Sequence, residues 1–254
     1  MKYTHIPFLA TLILVMSCMT CPVMAGEKPI VMFVPDTQWP PYYVDESSDS
    51  GGSILIEILK AVAEPMGYTI QTKTLPNKRG WFMLENGEVD VHAKAKEWVS
   101  NPDDFLWTDP FMQSEDVLLL PASSTLKYTG PKSLYGKRIA GIKDFAYPNL
   151  ENDFAAGNIK RIDVLTPYDM FNLLRKGRAD AALVNRVETL WTFRNNPKLK
   201  AKRFRLDKNN VDTAGYRYVF TKSDKWKVFI KTFNQRLATM KKNGELEKIL
   251  SKYR

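Results

Sequence analysis

Few side chains in this sequence have the type and spacing that covalent chemistry needs. Cysteine occurs only at Cys18 and Cys21, and histidine only at His5 and His92. Thiol catalysis and zinc binding both need such residues in clusters. Both cysteines and His5 fall in the first 25 residues, which read as a leader, so the mature chain keeps His92 alone and can form no disulfide. His92 is expected to be a hydrogen-bonded structural residue. No Gly-x-Ser-x-Gly, His-Glu-x-x-His or Gly-x-Gly-x-x-Gly pattern occurs. Gly130 to Lys137 approaches a phosphate loop, but it is one residue too long and Arg138 stands where a magnesium-binding hydroxyl belongs. The adjacent pair Asp103-Asp104 follows Pro102 and suits a helix cap better than a shared proton. Glu97, Asp144 and Glu188 are formal acid candidates that no spacing connects. The reading is therefore a protein that is not an enzyme and takes neither metal nor cofactor.

What must position the remaining polar and aromatic groups is a chain of 254 residues, 44 % of them hydrophobic, enough for a substantial core. Met1-Lys2, the apolar run Ile6 to Met19 and Val23-Met24-Ala25 form a secretory leader ending at Ala25. Val15-Met16-Ser17-Cys18 weakly resembles a lipobox, so a form lipid-anchored at Cys18 is the minor alternative. The formal charge of +9 loses only Lys2 with the leader, which leaves +8. Export argues against nucleic acid as partner, and the basic run Lys198 to Arg205 reads as a solvated face.

Strand and helix signals alternate, which favours an α/β sheet. Pro29 to Val34 reads as a short strand, followed by the loop Asp36 to Tyr43 with its aromatic run Trp39-Pro40-Pro41-Tyr42-Tyr43. A helix is expected from Ile54 to Met66, ended by Gly67, then a strand over residues 68–75. Trp81 to Glu85 suggests a helix before Asn86-Gly87, and Val89-Asp90-Val91 a strand start. From about residue 130 the plan repeats. Strands are expected at 138–142, 161–165 and 180–184, with helices at 148–154 and after Thr166, whose cap is followed by Pro167 and Asp169. Val117 to Leu120 and Tyr216 to Phe220 are apolar strands between the halves, and one final helix is read from Lys225 to Tyr253.

Six segments in this order carry a resemblance. They are Trp39-Pro40-Pro41-Tyr42, Glu85 to Asp90, Trp107-Thr108-Asp109-Pro110-Phe111, Leu134 to Ala140, Leu174 to Ala181 and Lys242 to Leu250. With them the mature chain resembles the periplasmic solute-binding proteins of the polar amino acid uptake type, bacterial extracellular solute-binding protein family 3. The resemblance implies the two-lobed α/β periplasmic-binding-protein-like fold of type II, each lobe a mostly parallel sheet flanked by helices, joined by two hinge strands. On this scheme residues 1–25 are the signal, 26–120 with 219–254 form lobe 1, and 121–218 form lobe 2. The implied protein is a monomeric periplasmic receptor. It captures a small polar solute in the interlobe cleft and hands it to a membrane ABC permease or, alternatively, signals to a membrane sensor. A dehydratase on the same fold is the remaining reading.

The chain departs from the pattern of the family it resembles where a ligand's charges would be held. The Arg that clamps an α-carboxylate should precede Trp107, yet Ser100 to Asp104 contains none. The Asp expected to take the α-ammonium is matched by the neutral Asn185. An ordinary amino acid in the usual pose would leave a buried charge unpaired, at a cost of several kcal/mol. Lys94 and Lys96 follow the Val89 strand; they either meet an anionic ligand or stand solvated, and share a face if the strand continues. Asp144 is the candidate for a ligand cation. Trp39 and Tyr42 fall where the family places first-lobe contacts, with Trp81 near the same rim, whereas Trp107 and Phe111 are assigned to the core.

Overall fold

The computed structural model describes residues 28–37, 39–44 and 53–253. The expected leader, its cleavage point and Cys18 lie outside the described residues. Among the described residues no helix is long and apolar enough to cross a membrane.

The first half is built around β1 (Lys28–Pro35), α1 (Ile54–Ala63) and β2 (Tyr68–Leu75). Strands β1 and β2 run parallel from Lys28↔Tyr68 to Pro35↔Leu75. The crossover helix buries Ile54, Leu55, Ile58, Leu59 and Val62, a stripe at the spacing of three and four that turns one face to the sheet. A short 3-10 turn and Gly67, at φ 82°, end it where glycine tolerates a left-handed backbone. Helix α2 (Asn77–Glu85) leads to β3 (Val91–Ala95), parallel to β1.

The second half repeats the pattern with β6 (Arg138–Ile142), α3 (Glu151–Ala155), β7 (Lys160–Val164), α4 (Pro167–Arg175), β8 (Ala181–Asn185) and α5 (Arg186–Asn195). Strand β6 is parallel to both β7 and β8. Helix α4 opens on a full capping box: Thr166 Oγ1 accepts from the Asp169 amide while the Asp169 carboxylate accepts from the Thr166 amide. Such a cap contributes about 1 kcal/mol.

Two long antiparallel strands, β5 (Met112–Pro121) and β9 (Phe204–Phe220), stitch the halves into one sheet of order β2-β1-β3-β9-β5-β8-β6-β7, with the short β4 (Leu106–Trp107) also on β9. Their pairing slips at Asp116/Val117 and again before Leu119. One apolar core gathers Ile30, Met32, Ile58 and Tyr218 with Trp226, Phe233 and Leu250 from the C-terminal helices. Smaller cores lie in the second half around Leu118 and Ile139, and around Leu119 and Phe171.

Four expectations need correction. The strand read from Val89 begins only at Val91, because the Asp90 carboxylate turns back to accept the Val31 amide at 2.8 Å. It ends at Ala95, so Lys96 starts a 3-10 turn instead of alternating with Lys94. The strand read at 216–220 is the end of a 17-residue strand. The single terminal helix is two, α6 (Asp224–Asn243) and α7 (Glu245–Ser251), broken at Gly244 with φ 82°.

Candidate functional site

The aromatic loop after β1 is held at both ends. Trp39 and Tyr43 exchange backbone hydrogen bonds of 3.0 and 2.9 Å, across a cis Pro40-Pro41 peptide. The Tyr43 hydroxyl donates to the Ala93 carbonyl on β3 at 3.2 Å, and the Ile54 amide donates to the Pro41 carbonyl. Thus anchored, Trp39 and Tyr42 are presented to the second half.

There they meet the start of α5. The Tyr42 hydroxyl donates to Asn185 Oδ1 at 2.9 Å, and the Trp39 indole N–H donates to Glu188 Oε2 at 2.9 Å. Asn185 is the N-cap of α5: its Oδ1 also accepts the Glu188 amide, and its Nδ2 donates to Ser114 Oγ on β5 at 3.0 Å. Its amide is a strut that fixes the loop, the helix and the strand relative to one another.

Aromatic rings continue from this contact. Trp39 and Tyr42 lie 4.3 Å apart, Tyr42 stacks on Tyr216 at 5.5 Å, and Trp98 stands edge-on to Tyr216 at 5.5 Å. Tyr216 is 1 % exposed, whereas Trp98 is 40 % exposed. Phe111 lies in the core behind Tyr216, as expected.

Carboxylates approach the same rings. Burial pushes the Glu188 carboxyl up to about 7, the Trp39 hydrogen bond partly opposing it and Asp116 adding to it. Burial, with Asp212 alongside, pushes Asp116 up to about 6. Asp212 is raised too, chiefly by burial. Burial first, then Tyr42, Tyr43, Asp116 and Glu188, hold the Tyr216 hydroxyl well above its ordinary value.

Of the other residues named from sequence, Lys94 comes near these rings and the rest lie elsewhere. Trp81 packs edge-on against Phe33, His92 and Phe105 in a separate apolar cluster. Lys96 faces the exposed Asp103 across 3.5 Å. Asp144 occupies an exposed turn after β6 with φ 64°. Lys94 pairs with Arg217 across the strands while Ala95 pairs with Tyr216, so Lys94 leaves the opposite face of β3 from the Tyr216 side. Its ammonium lies 5.6 Å over the Trp98 ring, and burial lowers its pKa. His92 is buried, stacked on Phe33 at 3.9 Å with Nδ1 3.1 Å from the Phe33 carbonyl oxygen; burial brings its pKa down to about 3, so it stays neutral. Among the described residues no group of His, Cys, Asp and Glu is placed to hold a metal ion.

Sequence reasoning missed Trp98, Tyr216, Asp116 and the pairing of Glu188 with Trp39. Glu188 did carry a signal, as the acid three residues after a helix-capping Asn.

Two α/β halves joined by β5 and β9, with aromatic side chains of one meeting the helix start of the other, define the two-lobed periplasmic-binding-protein-like fold of type II. Residues 30–254 match the model of the bacterial extracellular solute-binding proteins, family 3, and the chain belongs to that family. No curated protein matches it. Among solved structures, it is similar to a histidine kinase sensor domain with similarity to periplasmic binding proteins, at 23 % identity over 90 % of this chain and 96 % of that one, TM-score 0.66. It is also similar to substrate-binding domain 2 of GlnP from Lactococcus lactis in an open conformation, at 16 % identity over 89 % and 95 %, TM-score 0.70. The ligand-binding core of GluR0 in complex with L-glutamate gives 18 % identity over 90 % and 99 %, TM-score 0.66. At such identities the likeness is one of fold.

Proposed function

We propose that this protein is an extracytoplasmic receptor that encloses a small polar solute between its lobes and delivers it to a membrane ABC-type transporter. The observation that carries the reading is the pair of interlobe hydrogen bonds, Trp39 to Glu188 and Tyr42 to Asn185. They put an anchored aromatic loop against a capped helix start, where a solute would be gripped from both sides. The hinge of closure is assigned to β5 and β9, which run from one core to the other. Binding is non-covalent and the solute is returned unchanged. The exported protein acts as a monomer in the periplasm, with a lipid anchor at Cys18 as the alternative.

Asn185 is already engaged as a cap and by Tyr42, which supports a ligand other than an amino acid held in the family's usual pose. The test is a thermal-shift screen of the refolded, ligand-stripped protein against amino acids, amines, carboxylic acids, short peptides and sugars. A ligand at about a hundred times its dissociation constant adds about 2.7 kcal/mol. A hit whose shift is lost in Trp39→Ala supports the reading; a hit unaffected by Trp39→Ala and Tyr42→Phe counts against it.

The likeness to a histidine kinase sensor domain favours a second reading, in which the liganded receptor signals to a membrane sensor. Deleting the gene separates the two: loss of solute uptake points to transport, whereas retained uptake with a lost transcriptional response points to sensing.

A further inference from the structure

We infer that the second half of this protein carries a basic pole that docks on the anionic headgroups of a phospholipid membrane. The inference goes beyond the receptor reading, from which it takes only the extracytoplasmic location.

The sequence concentrates the charge in two runs. Between Glu188 and Asp207 there is no acid, while Arg194, Lys198, Lys200, Lys202, Arg203 and Arg205 all fall there. Between Asp169 and Asp180 the charged residues are Arg175, Lys176 and Arg178.

The fold brings both runs to one end of the sheet. Pro121 of β5 lies across from Phe204 of β9, and Leu119 across from Ala182 near the start of β8. Ala181 adjoins Ile139 near the start of β6, whose Arg138 lies beside Lys160 of β7. Helix α4 leads into the start of β8, and α5 leads into the start of β9, so both helices end at this pole. The opposite end, after β6, β7 and β8, mixes Asp144, Asp169 and Glu188 with Lys143 and Arg186.

The cations of the pole are exposed and free of counter-charges. Among the described residues Lys176, Arg178, Lys198, Lys200, Lys202 and Arg203 make no ion pair. The acids near them are engaged elsewhere. Asp180 accepts from Arg138 at 2.8 Å, Asp153 accepts from Asn158 at 2.8 Å, and Asp207 is 4 % exposed. Helix carbonyl ends attract cations, which accounts for Arg175, Lys176 and Arg194. It does not account for Lys137, Lys160 and Arg203, which stand at strand starts.

The display is held from beneath. The 3-10 turns Pro197–Leu199 and Ala201–Arg203 meet at Lys200, whose φ of 53° lies in the left-handed region that a lysine enters only at a cost. Leu199 and Phe204 pack into the cluster of Phe171 and Leu174, with Phe204 edge-on to Phe171 at 5.4 Å. Arg175 stands one helical turn beyond Phe171, which sets the two basic runs side by side.

The same face lacks what a protein partner needs. Among the described residues Tyr135 is the one exposed large apolar side chain near the strand starts of this half. Protein interfaces draw most of their affinity from a packed aromatic or apolar centre. Adsorption to an anionic bilayer needs only clustered cations and no fixed register.

The experiment measures co-sedimentation of the exported mature protein with vesicles of phosphatidylglycerol and phosphatidylcholine in equal parts. Vesicles of phosphatidylcholine alone and soluble poly-L-glutamate are the comparison probes. Two triple variants remove charge from the pole: Lys198→Gln with Lys202→Gln and Arg203→Gln, and Arg175→Gln with Lys176→Gln and Arg178→Gln. Lys200 is left in place because of its left-handed backbone. A control triple, Lys231→Gln with Lys242→Gln and Lys248→Gln, removes the same charge from exposed positions on α6 and α7. A native near-UV spectrum shows that each variant folds. The expected result is partition onto the mixed vesicles alone, weakening steeply with added salt. Each pole triple should weaken it at least tenfold, and the control by no more than about twofold. Absence of partition at low salt would overturn the inference. Equal weakening by the control would overturn it too, because net charge and not this face would then be responsible. Binding to poly-L-glutamate with the vesicles silent would replace the membrane by an acidic polypeptide. None of these outcomes bears on the solute screen, so the receptor reading stands or falls separately.

Discussion

Trp39 and Glu188 are separated by 149 positions in sequence, yet the indole N–H of one donates to a carboxylate oxygen of the other at 2.9 Å. The contact joins the loop after β1 to the start of α5. It involves a partly buried carboxyl pushed up to about 7, so it responds to pH. Each prediction below concerns this contact or an element that holds it in place.

Replacing Trp39 with Phe keeps a ring and removes the N–H. A hydrogen bond to a charged group contributes about 1.5–3 kcal/mol. Affinity for the ligand should therefore fall about tenfold or more, measured by calorimetry. An unchanged affinity would mean that the contact is incidental to binding.

The pH dependence follows from the raised carboxyls, Glu188 at about 7 and Asp116 at about 6. A carboxyl raised on folding keeps a proton that the unfolded chain gives up. Its stabilising effect is complete below the unfolded value near 4 and disappears as pH rises through the folded value. The ligand-free protein should thus melt at a higher temperature at about pH 5 than at about pH 8, once general charge effects are matched. Glu188→Gln should flatten that difference.

Gly80→Ala puts a residue of higher helix propensity into α2, a gain of about 1 kcal/mol in an open helix. Here an added Cβ would lie 2.4 Å from the Phe33 ring, which is itself stacked on His92. Overpacking of this kind costs about 1–3 kcal/mol. Urea denaturation should show net destabilisation; a more stable variant would mean that Phe33 moves freely.

Gly244→Ala should cost about 1 kcal/mol, because the break between α6 and α7 needs φ 82°. Gly244→Asn should be milder, since Asn tolerates the left-handed region better. Equal stability of all three proteins would show that the helices merge without penalty.

Local rules made much of the scaffold readable. Strand β2 was expected over the residues it occupies, the Gly67 stop follows from glycine's tolerance of positive φ, and the Thr166 cap forms its box. Local rules failed where a distant partner decides. Asp90 leaves its strand to serve the Val31 amide, and the polar run Arg205 to Thr213 is strand only because β5 pairs with it. The site divides the same way. Trp39, Tyr42 and Asn185 were named from sequence and are linked through Tyr42, while Asp116 and Tyr216 come to share a face only through register across β5 and β9. Trp81 carries the same residue type as Trp39 but lies within α2, whose apolar side packs on Phe33.

Strand β9 and helices α6 and α7 bear on how this chain is made. The core of the first half needs Trp226, Phe233 and Leu250, and β3 needs β9 as its neighbour. A ribosome delivers those residues only after the whole second half. The N-terminal half therefore cannot finish folding until β9, α6 and α7 have been made, because its sheet and its apolar floor stay open until then. A chain with that order of completion keeps its first half open while the contiguous stretch from β6 to α5 is already made.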